Sequence, residues 1–428
     1  ESEPETEADE DEDGFNLLDD LGDEIRAGMA EAEAALKEIG PEAVAVVRGA
    51  ERAVRQVIRR TSRSRRRYGF GRRRSKKEVR RRVSDTLLFE PGELLTVQNE
   101  KGDVLIETCD KVEIFFEVEI IARARTAEDA TLLAESVEID MRNDKNGLWL
   151  ESSLPNEEGG LRGSWRANFL IRVPETSDLD ITSRHGHTRL PNIQGDVSVR
   201  NAHGATNVEG VSGSLRARQS HGNLEVGTVG KHASIEVRHG HLEVEAIGGA
   251  LTLKNQHGNA KIGQIAKDLD TFSAHGNVTI GSVGAVDGRI RHSKFHIQDS
   301  AGGNISLDAS HGSLRAKRIE GNLTMRVHHG SIESDEVTGH VDIDSSHSPV
   351  SLRQIGKNAD IRSSHSPITL DNVGGDVTID ADHAPITLST VAGRVEVTGS
   401  MGSIDVDQAA GHLPDVERVA AAVSGRGT

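Results

Sequence analysis

Twelve histidines recur down the C-terminal half of the chain at a nearly constant interval: His185, His203, His221, His239, His257, His275, His292, His311, His329, His347, His365 and His383. Every spacing is eighteen residues, except for a seventeen before His292 and a nineteen after it. These cancel, so Phe295 and Ile297 keep their places relative to His292. Met401 occupies the thirteenth place. A unit this short cannot bury a core of its own, and its fixed period is the mark of a stacked repeat.

Other positions repeat with the histidine. Three and five residues after it the side chains are usually apolar, as in Leu224 with Val226 and Ile368 with Leu370. Eight after it stands Val or Ile in almost every unit, from Ile193 to Val391, and ten after it most units carry glycine, as at Gly213 and Gly321. A second alternating pair follows, such as Leu251 with Leu253 or Val377 with Ile379. Each unit therefore reads as two short strands of period two, each closed by a glycine-marked turn. Stacking such units predicts a parallel β-solenoid of about twelve coils over residues 179–408, a rod on the order of 60 Å long at the strand spacing of a sheet.

Counting back by twos from His239 passes Val237, Ile235 and Ala233, so the histidine shares the parity of the inward face. It is expected to close the corner of each coil from inside, with the following glycine easing the turn. At His347, His365 and His383 the follower is Ser-Pro or Ala-Pro, which calls for a different turn. Stacked coils would set the twelve imidazoles in one structural file, with metal binding and a pH response as candidate further roles. Imidazole suits Zn²⁺ and Cu²⁺, although a straight file offers two ligands on one side where a closed zinc site takes about four. Charging two neighbours about 5 Å apart would set up a repulsion of roughly 3 kcal/mol at an effective dielectric of 20, so a buried file should weaken on acidification.

Composition supports the repeat reading. The chain of 428 residues has 45 glycines and only 3% aromatic residues, poor material for a conventional core and suited to one narrow layer used many times. The net charge of −17 is unevenly spread: residues 1–13 hold nine carboxylates, whereas Arg59 to Arg82 holds fourteen Lys/Arg and one Glu. The lone cysteine, Cys109, rules out an intrachain disulfide framework and fits a reducing compartment and a disulfide-free exported protein equally. No run of eighteen apolar residues offers a membrane-spanning helix.

Ahead of the array, residues 1–13 read as a disordered acidic tail. Residues 15–58 read as amphipathic helices, with Leu18, Leu21, Ile25, Met29, Leu36 and Ile39 at helical spacing, Gly40-Pro41 as a break, and Val44, Val47, Val54 and Val57 on a second face. They predict a helical hairpin that self-associates or lies on the rest of the protein, or a helix on a membrane surface. Residues 59–82 form a basic segment or linker. Residues 90–178 read as an α/β cap: Leu95, Val97, Val104 and Ile106 alternate across a Gly102-Asp103 hairpin turn, Val112 to Ile120 alternate over a longer strand, and Thr126 caps a helix. Leu148, Leu150, Phe169, Ile171 and Val173 supply further strands, and residues 409–428 a tail or short capping helix.

The segment LLTVQNEKGDVLIETCDKVEIFFEVEIIARARTAEDATLLAESVEIDM, followed by FLIRVPETSDLDITSRHGHTRLPNIQGDVSVRNAHG, resembles the bacterial putative-adhesin family of β-strand repeats, the toast-rack proteins. The likeness spans roughly residues 90 to 408 and rests on the Gly102–Val104 strand pair and the Ile171–Pro174 strand. It implies a right-handed β-solenoid without catalysis, often joined to a helical or membrane-associated segment and sometimes linked to envelope stress. A histidine at almost every rung departs from that pattern.

Polysaccharide-cleaving β-helices need carboxylates converging on a groove. Here acids such as Glu225, Glu243 and Asp308 are scattered outward. The GGxGxD calcium run, G-x-S-x-G, HExxH, the Walker loop, CxxC and outward Thr-x-Thr files are all missing. The expectation is therefore mainly β: a parallel right-handed β-solenoid with 18-residue coils behind a small α/β cap and an N-terminal helical segment, non-catalytic, without catalytic residues or cofactor, and adhesin-like. Candidate polyanion-binding residues are Arg59, Arg60, Arg63, Arg65, Arg66, Arg67, Arg72, Arg73, Arg74, Lys76, Lys77, Arg80, Arg81 and Arg82. The partner is an anionic membrane surface, or alternatively nucleic acid with the rod as spacer. Only Tyr68 and Phe70 offer bases a stacking platform, and a plain solvated linker paired with acidic surface is the bland alternative. Self-association through the helices or the solenoid ends is a further candidate contact. The start shows neither a secretory pattern nor a Met, so the expected location is cytoplasmic at the inner face of the membrane, or the cell surface should a signal precede it.

Overall fold

The computed structural model describes residues 76–90, 92–144, 147–154, 163–400, 402–409 and 423–426. The acidic tail, the helices of 15–58, Arg59 to Arg74 and Met401 lie outside these residues.

The repeat array is a parallel β-solenoid of about 13 turns. Each coil adds one strand to each of two sheets, as Leu215–His221 and Leu224–Val229 do, and the next coil repeats them eighteen residues on. Strands pair in register with their counterparts above and below: Val197 with Leu215 and Leu179, Val208 with Val226 and Leu190. The backbone hydrogen bonds between coils run along the stack, as from Val197 N to Ser214 O and Leu215 N to His232 O. Along each strand buried and exposed residues alternate, and the buried ones join a single apolar core reaching from Phe89 to Ile404. Period two is what makes this possible: alternate side chains of every strand meet those of the opposite sheet, so thirteen narrow layers share one core.

The irregular spacings now have places. The seventeen arises because two residues, Gly284 and Ala285, connect Val283 to Val286, where other coils use three. The nineteen is a bulge between Ile297 and Ala301 in the strand Lys294–Ala301, which returns the inward parity to Ala301.

The cap extends both sheets. β1 (Lys77–Leu88) pairs antiparallel with β4 (Glu113–Ala124), and β4 with β7 (Gly163–Pro174). β7 then lies parallel to β3 (Val104–Cys109) and so joins the sheet of β9 (Thr188–Ile193). On the other side β5 (Glu138–Asp144) and β6 (Gly147–Ser153) run antiparallel, and β6 joins β2 (Leu94–Asn99) beside β8 (Asp178–His185). Helix α1 (Ala127–Ser136) is capped by Thr126, whose hydroxyl accepts from Asp129 N at 3.0 Å. It buries Ala130, Leu133 and Ala134 against β1, β4 and β7.

Three expectations change. Gly102-Asp103 is not a hairpin turn: β2 and β3 lie in different sheets and form a solenoid coil directly beneath His185, with Gly102 N donating to His185 O. Alternation alone cannot tell a hairpin from a corner, since both reverse the chain around a glycine. The cap also begins earlier than residue 90, because β1 takes up the end of the basic segment, and Val112 lies exposed ahead of β4. Finally, within the stretch 409–428, expected to be a tail or short capping helix, residues Val423–Arg426 form a strand parallel to Ile404–Ala409, while residues 410–422 lie outside the described ones.

Candidate functional site

In-register stacking puts every residue of a coil above its counterpart, and at the histidine position this yields a continuous file. Adjacent imidazole centroids from His185 to His383 lie 4.6 to 5.0 Å apart, and the planes differ by 1° to 21°. The distance falls in the range of offset-stacked rings.

The file faces water. All twelve histidines are exposed, which overturns the expectation that they close the corners from inside. The reason lies in the backbone. From His257 to His383 each histidine of the file has a φ between 48° and 58°, a left-handed conformation that His enters more readily than most residues. In the early coils the glycine after it turns instead, with φ of 147°, 145° and 120° at Gly186, Gly204 and Gly222. Either way strand alternation stops at the corner, and parity counted through it is lost.

The inner corner belongs to the residue two before the histidine. Asn201 Nδ2 donates to Gly186 O at 3.0 Å, Gln219 Nε2 to Gly204 O at 2.6 Å and Asn255 Nδ2 to Gly258 O at 2.7 Å, while Asn99 does the same for Gly102 O at 2.9 Å. These buried amides satisfy turn carbonyls that would otherwise be stranded away from water. The opposite corner holds a file the sequence reading missed. Asp178, Asp196, Asn304, Asn322, Asn358 and Asp376 each accept the backbone N–H of the residue one coil on, at 2.7 to 3.1 Å. Asx residues recurring eleven after the histidine were the available signal.

Among the described residues no ring nitrogen of the twelve has a hydrogen-bond partner within the chain, unlike His187 and His232, whose Nδ1 atoms accept backbone N–H groups at 3.2 Å. Nor do three His, Cys, Asp or Glu side chains gather to hold a metal ion. The geometry explains this. Parallel rings keep like nitrogens a coil apart, whereas two nitrogens on one zinc can be at most about 4.2 Å apart, given bonds of about 2.1 Å.

The described part of the basic segment is woven into the cap. Lys76 and Lys77 are exposed at the start of β1. Arg80 pairs with Glu78 and Glu119, and Arg82 with Glu117 and Glu119. Arg81 donates to Ala134 O and Glu135 O at the carboxyl end of α1, where a cation complements the helix dipole.

On the broad sheet face Glu236 stands among Arg238 at 3.0 Å, Arg218 at 3.4 Å and Lys254 at 3.6 Å. Burial pushes its carboxyl up, but the Arg238 hydrogen bond and the cations Lys254, Arg238 and Arg218 outweigh this and hold it below the ordinary carboxylate range. The unfolded chain therefore binds the proton more readily, and the contribution to stability is complete above about pH 4.3 and fades as pH falls through the folded value. Glu236→Gln should lower the melting temperature by about 1–2 °C at pH 7, and thermal melts should show the gap closing as pH falls below about 4.3.

No family model matches the chain, and no curated protein does. Among solved structures it is similar to a putative cell adhesion protein from Clostridium sporogenes, 14% identical over 43% of this chain and 100% of that one, with a TM-score of 0.26. It is also similar to a putative adhesin from Bacteroides fragilis (9% identity, 76% and 97% coverage, TM-score 0.20) and to a putative lipid binding protein from Parabacteroides distasonis (13%, 76% and 97%, 0.20).

Proposed function

We propose that the chain is a non-catalytic, adhesin-like β-solenoid scaffold. One observation carries this reading: the buried polar side chains among the described residues are Asn, Gln, Ser and Thr, with no acid, base or histidine among them. Acid–base catalysis draws on titratable groups brought together and partly desolvated, and a scaffold needs none. The charged side chains instead stand outward along the sheets, many in pairs between coils such as Lys261 with Glu243 and Arg315 with Glu333.

Residues 15–58 and Arg59 to Arg74 serve as the attachment end, holding an anionic membrane surface. Nine arginines in sixteen residues support this, since each basic residue near an anionic leaflet contributes about 1 kcal/mol. The full chain is expected to sediment with phosphatidylglycerol vesicles at about 50 mM salt, to release them as salt rises, and to lose binding when these nine arginines become Gln. Retardation of random duplex DNA without vesicle binding would make the rod a nucleic-acid-associated spacer. Binding to neither would leave the segment a linker.

A further inference from the structure

The imidazole file runs along a strip with almost no carboxylate. Taking each file histidine with the residue before it and the two after it gives twelve four-residue windows, and their one acid is Asp382. The chain as a whole has 68 Asp and Glu in 428 residues. The other titratable or charged members of the strip are Arg184, Arg238, Arg291, Lys294, His187, His241 and His328. Three of the fixed charges have partners: Arg184 reaches Glu100 at 3.5 Å, Arg238 reaches Glu236 at 3.0 Å, and Asp382 accepts from Ser400 N and Oγ. At the base, the register sets Lys101 beneath His185, with its Nζ 5.1 Å from the Trp165 ring centre, and the Asp103 carboxylate accepts from His187 N at 2.8 Å.

Beyond the strip the acids return on both sheets. On one flank stand Glu236, Asp308, Asp344 and Asp380 among Arg200, Arg218, Lys254, Arg289, Arg326 and Arg362. On the other stand Glu225, Glu243 and Glu333 among Arg189, Lys261, His296 and Arg315.

We propose that this edge is a binding strip for a linear polycarboxylate glycan, strengthened by mild acid. Imidazole as a side-chain type gains charge between pH 8 and 5, and twelve of them stand here in a single row, 4.6 to 5.0 Å apart with unpartnered nitrogens. Like charges at this spacing repel by about 1 kcal/mol in water, so a thread of carboxylates laid along the row favours protonation as protonation favours it.

The occupant follows from the surroundings. Each ring face lies against the next ring, so bases of a nucleic acid would find little to stack on. An extended anionic surface would have to cover the mixed charges of both flanks, seven acids among them, whereas a single thread touches only the strip. Neutral donors beside the file, such as Asn223, Asn259 and Ser364, suit sugar hydroxyls.

The test is titration of the full chain with polygalacturonate at pH 8.0 and 6.0, between which free imidazole goes from a few per cent to about three-quarters charged. Binding at pH 6.0 is expected to be at least about tenfold tighter, with protons taken up, seen as a binding heat that changes with the ionisation heat of the buffer. A variant with His221, His257, His275, His292 and His311 changed to Asn, a residue that also accepts the left-handed angle of the last four, should bind less tightly at pH 6.0 and show a smaller pH dependence and proton uptake than the parent. Equal affinity at the two pH values, or a folded variant that behaves as the parent, would refute the strip. If the variant does not fold, proton uptake by the parent decides alone, and none overturns the proposal. Equally tight, histidine-dependent binding of duplex DNA or phosphatidylglycerol vesicles would overturn the glycan assignment. The strip is independent of the attachment end: vesicle binding at pH 8.0 through Arg59 to Arg74 should be the same in this variant, so either reading can fail without the other.

Discussion

Deleting residues 242–259, one whole coil, should leave a folded protein that melts within about 3 °C of the parent, while deleting Ser234 alone should disrupt the array. The first deletion joins His241 to Ala260 and replaces the strand Leu242–Ile247 by its in-register counterpart Ala260–Ile265. One coil and one inter-coil contact disappear, and in a solenoid stability is close to a sum of such terms. The second deletion flips the strand Ala233–His239: Ile235 and Val237, 1% and 0% exposed, turn to water, and Glu236 and Arg238 turn to the core. Exposing the two apolar side chains costs about 1.5–3 kcal/mol each, and a desolvated charge costs more. A loss above about 4 kcal/mol, read from denaturant unfolding and early proteolysis near residue 234, is the expected outcome. A melt matching the parent would mean that register is not set by the inward alternation. The chain's own length changes lie where parity survives, in a turn and in a bulge.

Gly222→Val should be nearly as damaging. Gly222 has φ of 120°, and a Cβ there would overlap the carbonyl oxygen of Gly204 in the coil below. Strain of about 1–3 kcal/mol for the angle adds to the displacement of two stacked turns, so a loss of at least about 3 kcal/mol is expected in denaturant unfolding. The same position in a later coil is Ser348, where His347 carries the left-handed angle instead. Ser348 Oγ accepts from Gly330 N at 2.9 Å, so Ser348→Ala should cost only about 1 kcal/mol. Equal losses at the two sites would contradict the shift of the turn from glycine to histidine along the rod.

The solenoid was legible because its evidence is repeated. Eleven of the twelve coils carry Val or Ile eight residues after the histidine, from Ile193 to Val391, and any one misread coil is corrected by its neighbours. The face of the histidine was not legible. Alternation fixes a side only while the backbone stays extended, and the left-handed turn at His257 and its successors carries no mark in the sequence beyond the histidine itself. β1 was hidden differently: Val79 and Val83 are half-buried inward residues, but the arginines around them read as a polyanion segment until Glu117 and Glu119 of the neighbouring strand supplied their partners. The β2–β3 coil lay out of order, with residues 110–177 inserted before its stacking neighbour β8.

Hydrogen bonds that run along the stack also decide how the rod bears load. Pulled end to end, the two sheets are not sheared as whole strands. Tension falls on the outermost coil, whose bonds open in sequence while those behind it stay closed. Each coil that peels away frees eighteen residues, on the order of 60 Å of contour at the reach of an extended chain, against about 5 Å of rod lost. A solenoid anchored at one end and held at the other would lengthen in equal steps at nearly constant force and shorten again as coils re-stack on the intact template, an extensible tether rather than a rigid strut.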